Sequence, residues 1–484
     1  MNNQRDYSYY EAHAADVCLD EITSSDENKR ILQLLRDGDI HSMSIGGSSY
    51  WRDVAISEGD DLGWLGYFIG RSESLQELEV VGFPEDVEKE QRTIHALSDG
   101  IARNRSIQNV RVDRLSNDGF DAITRSLINL TQLEALTVGI SYYRDNNPPN
   151  PLNVSVALGN LLESGVRLKI LSLDRISRNN IGDAGVVALT RGLRCIGSSL
   201  TVLNLCDGSI GSEGLSTLVV ALANCTCLER LDLSQNNFSM AAAGLSSLSD
   251  WLQTADVTLN KLLLMFCEIN DGGLEALTQG AVNNCKEMNL DGNVDIGASG
   301  WRFLSTSLQS ESCCLERLFL TYTGIGDDEA EILARGLVGN KKLKYLHMFG
   351  EDEEHVSITP TVWSAFVEAL CNISTVDNTY LSNHTIVELW EGEWDEDIRE
   401  GLDDEHPMML YLQLNEEHPQ HAARCKILMN HNHLDMAPLL QWELKCLPLA
   451  IDWFERAKPC TTLSINGDNE PLVVSRLKNT RVGS

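Results

Sequence analysis

Five residues near the end of the chain, His418, His421, Cys425, His431 and His433, are of the types that ligate transition metals. The spacing of His418, His421 and Cys425 suits a single helical face. No acidic or second cysteine ligand completes a recognised spacing, so the group reads as the solvated side of a terminal helix. Asp291, Asn293 and Asp295 imitate the start of a calcium loop. Ile296, however, stands where that loop requires glycine, and Arg302 where it requires a bidentate glutamate. The pairs Cys225/Cys227 and Cys313/Cys314 lack the two-by-two spacing of a zinc site. A phosphate-binding GxxxxGKS/T loop, an HExxH helix and a GxSxG elbow are all missing, which removes the common nucleotide, metalloprotease and hydrolase chemistries. No catalytic centre, metal or cofactor is expected.

What the side chains do offer is recognition. Leu263, Met265, Phe266, Phe319, Tyr322, Tyr345, His347 and Phe349 all fall at positions 3, 5, 7 or 8 of a recurring segment, and these columns point away from the core. Clusters of large apolar and aromatic groups facing outward mark interaction sites. Earlier segments fill the same columns with charge: Glu77, Glu79, Arg111, Asp113, Arg114, Asp174, Arg175, Asp207 and Asp232.

The elements that must position these columns follow from a repeat. Ten segments place apolar residues at positions 1, 4 and 6, starting at Leu75, Ile107, Leu133, Leu168, Leu200, Leu228, Leu259, Cys285, Leu315 and Leu343, spaced 26 to 35 residues apart. The 4-and-6 pair has the period of a strand. A helical signal follows at Ile181, Ile210, Ile269, Ile296 and Ile325. Two residues beyond each isoleucine, Asp183, Ser212, Asp271 and Asp327 take an expected N-cap position, and Ala298 breaks the rule. Leu215, Leu218 and Leu222 then line one helical face, as do Leu274 and Leu277. One strand and one helix cannot bury their apolar sides alone, so neighbours must stack. Strands sit ~4.8 Å apart and helices ~10 Å, so the stack should curve into a horseshoe, strands concave and helices convex.

Over about Leu75 to Leu370 the chain resembles the ribonuclease-inhibitor type of leucine-rich repeat, whose units alternate a strand with a full helix. The terminal block, including Leu428 to Asp435 and Gln441 to Ala457, is similar to one in uncharacterised repeat families of unicellular algae. The first resemblance implies an α/β leucine-rich-repeat solenoid and a protein-binding role. Such repeats place Asn or Cys at position 9, as Asn236, Cys267 and Asn293 do. Ile176, Gly208, Thr323 and Glu351 depart from the rule.

The expected organisation is an N-terminal cap over 1–64, a solenoid of about 10–11 repeats over 65–386, an acidic insertion over 387–407, a helical C-terminal cap over 408–457 and a mobile tail over 458–484. Ile31, Leu32, Leu34 and Leu35 suggest a cap helix. Ile40, Met43 and Ile45 suggest a degenerate first strand, and Ile373 and Val376 a last worn repeat. Ser141 to Asn153, rich in tyrosine and proline, reads as a projecting loop. The acidic insertion sets Glu391, Glu393, Asp395, Glu396 and Asp397 around Trp390 and Trp394.

There are 71 acidic against 38 basic residues, a formal charge of −33, which repels phosphate backbones and anionic membranes. Nucleic acid and membrane are not expected partners. A protein that is at least locally basic is, although the same charge also serves plain solubility. Thirteen cysteines without framework spacing read as reduced thiols of a cytoplasmic protein, the nucleus being compatible too. Met1 to Tyr10 lacks the basic start and apolar run of a secretory signal. The sequons at Asn104, Asn129, Asn153, Asn224, Asn237, Asn372 and Asn383 then read as chance. A non-catalytic protein-binding scaffold is the leading expectation. The alternative is a GTPase-activating protein, since one such family joins similar repeats to an acidic C-terminal region, but no residue here matches its functional loop.

Overall fold

The computed structural model describes residues 7–46, 53–54, 62–82, 91–139, 150–173, 180–255, 257–348, 360–389 and 406–431. Of the sequence-based expectations, the loop core at 141–149, the acidic run at 390–405, His433 and the chain from 432 onward lie outside the described residues. The chain forms two compact units, Met1–Asn293 and Val294–Ser484.

The first unit holds a parallel sheet of β1 (Ser42–Ile45), β2 (Asp53–Val54), β3 (Glu77–Val81), β4 (Asn109–Asp113), β5 (Ala135–Gly139), β6 (Ile170–Ser172), β7 (Val202–Asn204), β8 (Arg230–Asp232), β9 (Leu259–Leu263) and β10 (Cys285–Asn289). Apart from β2, which adds outside β1, each strand pairs with its neighbours in chain order. β2 is the one strand here that the repeat pattern does not foresee. Position 4 runs in register through Met43, Leu78, Val110, Leu136, Leu171, Leu203, Leu231, Leu262 and Met288. Every member is buried, so the predicted core column is continuous. Helices following the strands, among them Gly182–Ile196, Ser212–Leu222, Ala242–Thr254 and Asp271–Asn284, pack neighbour against neighbour. Their contact is close. A Cβ at Gly280 would stand 2.3 Å from the Ser249 carbonyl oxygen.

The cap positions differ from expectation by one or more residues. Gly211 and Asn270 precede the helices at Ser212 and Asp271 in extended backbone, and the Asn270 side chain accepts from Gly273 N–H at 3.1 Å. Ile181 occupies the equivalent place before Gly182, and in the second unit Gly326 precedes the helix at Asp327. The preceding isoleucines are buried, which leaves the next residue to make the turn. Asp183, Asp271 and Asp327 thus sit in the first turn, where a negative charge suits the helix dipole. Asp183 also accepts from Gly211 N–H of the following repeat at 2.7 Å.

Two asparagine ladders satisfy the turning backbone. Asn236 donates to the carbonyls of Leu205 (3.0 Å) and Leu233 (2.8 Å) and accepts from Gly208 (3.1 Å) and Ile210 (2.8 Å). Asn293 does the same two repeats later, to Leu264 at 2.9 Å and from Cys267 at 3.1 Å. The Cys267 thiol donates to Leu233 at 3.3 Å. A second ladder, not foreseen from the sequence, stands three residues before a strand segment. Asn104 donates to Ile69 and Ser72 at 2.7 and 2.9 Å and accepts from Ile107 N–H at 2.8 Å.

In the second unit, β11 (Arg317–Phe319) and β12 (Tyr345–His347) pair in parallel, with Leu318 in register with Leu346. The last repeat is not at Ile373 and Val376. Ile373 is exposed, and Thr375 instead caps a helix, Val376–Leu381. The final strand-like turn is Ile386 to Leu389, both buried, with Glu388 bridging Tyr345 and Asn383 supplying the ladder bonds to Leu337 (3.0 Å) and Asn340 (3.1 Å). Residues 387–389 therefore belong to the repeat and not to the acidic insertion. Helices Pro407–Glu417 and Ala422–Asn430 then close this end. Asn415 donates to Ile386 at 2.7 Å, and the fully buried Lys426 ammonium donates to the carbonyls of Leu370 (2.7 Å) and Asn383 (2.9 Å).

The expected shared helical face of His418, His421 and Cys425 does not form. One helix ends at Glu417 and the next starts at Ala422, Cys425 is buried, and His431 bonds Thr379 at 2.8 Å. The cap helix Asp26–Asp37 and its strand β1 form as the pattern predicts. The boundary expected at 64/65 falls inside a helix, Leu62–Arg71. Pro151 to Asn153 begin a helix capped by Asn150 instead of continuing the projecting loop.

Candidate partner-binding surface

The strand face of the first unit begins as a charge ladder. Arg111 pairs with Glu79 of the neighbouring strand at 3.3 Å, and Lys261 with Glu287 at 2.9 Å. Arg114 and Arg230 lie 3.7 and 3.2 Å from Asp113 and Asp232. Asp113, Asp232 and Glu287 are buried while their cations are partly exposed, so the pairs partner carboxylates that burial would otherwise leave alone and turn the basic groups towards the face. Asp174 and Arg175 lie outside the described residues.

Leu263, Met265 and Phe266 differ in what they offer. Leu263 is buried: it sits in β9 in register between Asp232 of β8 and Asn289 of β10. Met265 is half-buried, and Phe266 is 53% exposed. The Phe266 ring lies across Gly292 of the next repeat, where a Cβ would come within 2.2 Å of it.

In the second unit Tyr322 is 41% exposed, and Phe319 and Tyr345 are half-buried. His347, expected to face outward, is buried instead. Phe319 stands edge-on to it at 4.8 Å, Tyr345 at 6.4 Å, and its Nε2 lies 3.1 Å from Glu388 Oε1. It acts as the floor under the two rings. The Arg317 guanidinium covers the Tyr345 ring at 4.8 Å. Phe349 lies outside the described residues.

A backbone feature underlies the exposed rings. Position 8 is left-handed wherever described, at Arg114, Asp207, Gln235, Phe266 and Tyr322 and at Gly82 and Gly292, with φ between 52° and 72°. At four of these positions a main-chain hydrogen bond accompanies it. In the first unit the position-8 N–H of Gly82, Asp207, Gln235 and Phe266 donates to the position-7 carbonyl of the next repeat, at 2.7 to 3.0 Å. The left-handed turn takes the chain out of the sheet and aims the side chain at solvent. Glycines at Gly82 and Gly292 were the available sequence signal for this column.

Other chemistry is sparse. Among the described residues no three His, Cys, Asp or Glu side chains gather to hold a metal ion, and no helix is long and apolar enough to cross a membrane. The eleven described cysteines are all free thiols. Burial pushes Cys225 up to about 11 and Cys267 up to about 12, which makes them inert packing groups.

The strand–turn–helix unit, its ladders and the core column define a leucine-rich-repeat protein. Its repeats are of the ribonuclease-inhibitor-like type. A family model described as a leucine-rich repeat matches residues 175–189, 224–249 and 256–277. Ribonuclease inhibitor of Sus scrofa is 32% identical over 149 residues, which is 30% of this chain and 32% of that protein. The NACHT, LRR and PYD domains-containing protein 5 of Mus musculus is 28% identical over 192 residues, 40% of this chain and 16% of that one. The matches thus span about a third or less of those relatives. A solved leucine-rich-repeat protein of Leptospira interrogans is 14% identical, with a TM-score of 0.32, covering 79% of this chain and 92% of that one.

Proposed function

We propose that the chain is a non-catalytic scaffold that binds a protein through its strand face. Phe319, Tyr322 and Tyr345 are the anchors in the second unit, and Met265 and Phe266 form a separate strip in the first. The observation that carries this is Tyr322: a bulky, exposed ring held at φ +55° in a column where glycine also occurs. Left-handed backbone costs a non-glycine residue ~1–3 kcal/mol. A bound partner would offset that cost, because central aromatic anchors dominate interface energies. A relative named for inhibiting a ribonuclease supports a protein target. The excess of acidic residues favours a locally basic one. Free thiols throughout the described residues suit a reducing compartment, cytoplasmic or nuclear. No observation favours the GTPase-activating reading.

The test is affinity capture from the source cell, followed by titration of the captured protein against Phe319→Ala, Tyr345→Ala and Tyr322→Gly. Each should lose ~10-fold or more in affinity with the melting temperature held, and Tyr322→Gly should hold or raise it. Unchanged affinity with a lowered melting temperature would show that the rings are core residues, and the reading would fail.

A further inference from the structure

The helix side of the second unit carries a groove of about 330 Å³ that no part of the strand-face reading uses. It lies among the helices Asp327–Leu337, Pro360–Leu370 and Val376–Leu381. Its lining includes three alanines, Ala334, Ala365 and Ala369, together with Val338 and Leu381. Val338 and Leu381 are 40% and 58% exposed, and the sequence neighbours of the lining, Ile373 and Tyr380, are 58% and 61% exposed. Within the lining itself Val338 and Leu381 are large apolar side chains left in water beside an alanine floor.

The charge on its helices is predominantly acidic. The three helices carry Asp327, Asp328, Glu329, Glu331, Glu368 and Asp377 against Arg335 alone, six acids to one base. Arg335 is held by Glu331 one turn away, so the cation is neutralised within its own helix. Glu368 accepts from the Asn372 side-chain amide at 2.9 Å.

We infer that this groove is a second docking site, which takes an amphipathic segment bearing lysine or arginine from a partner protein. The alanine floor lets a helix approach closely, so that its apolar side chains seat against Val338 and Leu381. This is the helix-in-groove mode of recognition. Basic side chains on the flanks would meet Glu368 of the lining and Asp377 on the adjoining helix, and complementary potential of this kind sets specificity and encounter rate. A second copy of the chain is a poor occupant for the same reason, since six acids would face a surface of like charge.

The experiment uses the full chain and a phage-displayed library of random 14-residue peptides, with enriched sequences synthesised and titrated. Enriched peptides should combine Lys or Arg with Leu, Ile or Phe at spacings of three and four. They should bind ~10-fold or more weakly to Leu381→Glu, Ala365→Trp and Glu368→Lys than to wild type. Leu381 is exposed, so its substitution should leave the melting temperature unchanged and keep the test valid should Ala365→Trp misfold. Tyr322→Gly removes a strand-face anchor and should bind the peptides as wild type does, which separates this site from the strand face. The inference is overturned by a library with no such enrichment, or by peptides bound equally well by Leu381→Glu. Sedimentation showing a dimer that Leu381→Glu dissolves would overturn it too, by making a second copy the occupant.

Discussion

Replacing Lys426 with methionine should change how the second unit's stability depends on pH. The lysine is fully buried, its ammonium bonded to two backbone carbonyls and 5.5 Å from the Tyr411 ring. Burial, opposed only in part by Cys371 and Cys425, lowers its pKa from 10.5 to about 7. The other titratable groups facing it stay neutral near pH 7. Burial raises Tyr411 and Cys371, and it lowers His384 to about 4, with the Lys426 charge adding to that shift. Below pH 7 folded and unfolded chains both hold the lysine proton, and the buried charge costs its full amount. As pH rises from 7 towards 10.5 the unfolded chain holds more protons than the folded one, so stability rises with pH. The ceiling over that span is about 5 kcal/mol, of which about 2 kcal/mol accrues between pH 7 and pH 9. For a unit of this size that corresponds to roughly 4–8 °C in Tm. Cysteine and tyrosine titrations act in the opposite direction over the upper part of the range, so the readout is the difference between wild type and Lys426→Met at each pH. Wild type should gain on the variant as pH rises. A constant difference from pH 7 to pH 9 would show that the two carbonyls solvate the ammonium as well as water does, and the argument from burial would be wrong.

Leu231→Ala removes a buried side chain between Leu203 and Leu262 and should cost ~2–5 kcal/mol, seen as a lowered denaturant midpoint; an unchanged midpoint would misplace the core column. Asn236→Ala leaves two carbonyls and two N–H groups without their side-chain partner. Even with partial compensation it should cost ~2–4 kcal/mol, read in the same way, with exchange of the Gly208 and Ile210 amides accelerated. Conversion of Glu391, Glu393, Asp395, Glu396 and Asp397 to amides should leave the melt unchanged and slow association with a basic partner in low salt, the difference fading as salt rises. Association equally fast at low and high ionic strength would reduce the segment to a solubility feature.

The repeat was legible because leucine spacing records burial directly. Leu203, Leu231 and Leu262 announce their column, and the register follows from it. Asn236 and Asn293 were legible for the same reason: their place is tied to a backbone turn that every repeat must make. The outward columns were read less well. Their alternation says which way a side chain points, not what lies beside it, so Leu263 and His347 counted as exposed although both are buried. The caps shifted because Asp and Ser suit the first turn of a helix as well as its cap, and glycine or asparagine did the capping. The last repeat was misplaced because Ile386 and Leu389 supply only two apolar markers, with the decisive Asn383 three residues before the first. Lys426 carries no sequence signal at all. A lysine in a helix normally reads as solvent-facing, and only the convergence of Leu370 and Asn383 on its ammonium shows otherwise.

Position 8 links the fold to recognition. At Gly82, Asp207, Gln235 and Phe266 a main-chain hydrogen bond to the adjoining repeat accompanies the left-handed backbone, as where Phe266 N–H donates to Asp291 at 2.7 Å. A main-chain bond does not depend on the side chain, and the column as a whole contains Gly82, Arg114, Asp207, Gln235, Phe266, Gly292 and Tyr322. Packing constrains them only in part: Arg114, Gln235, Phe266 and Tyr322 are exposed, although the Phe266 ring lies across Gly292 and Arg114 stands 3.7 Å from Asp113. Backbone strain does not choose among the non-glycine members, because each pays a similar cost against glycine, ~1–3 kcal/mol. The exposed part of each side chain is open to selection by the surface it meets outside the protein. A column whose geometry is set by the fold and whose chemistry is open to selection from outside can change specificity without disturbing the core. Exchanging residues within it should therefore alter partner affinity while leaving Tm within ~2 °C, about 1 kcal/mol or less for units of this size. Loss of affinity accompanied by a larger fall in Tm would place this column under packing control, and the separation of fold from recognition would not hold.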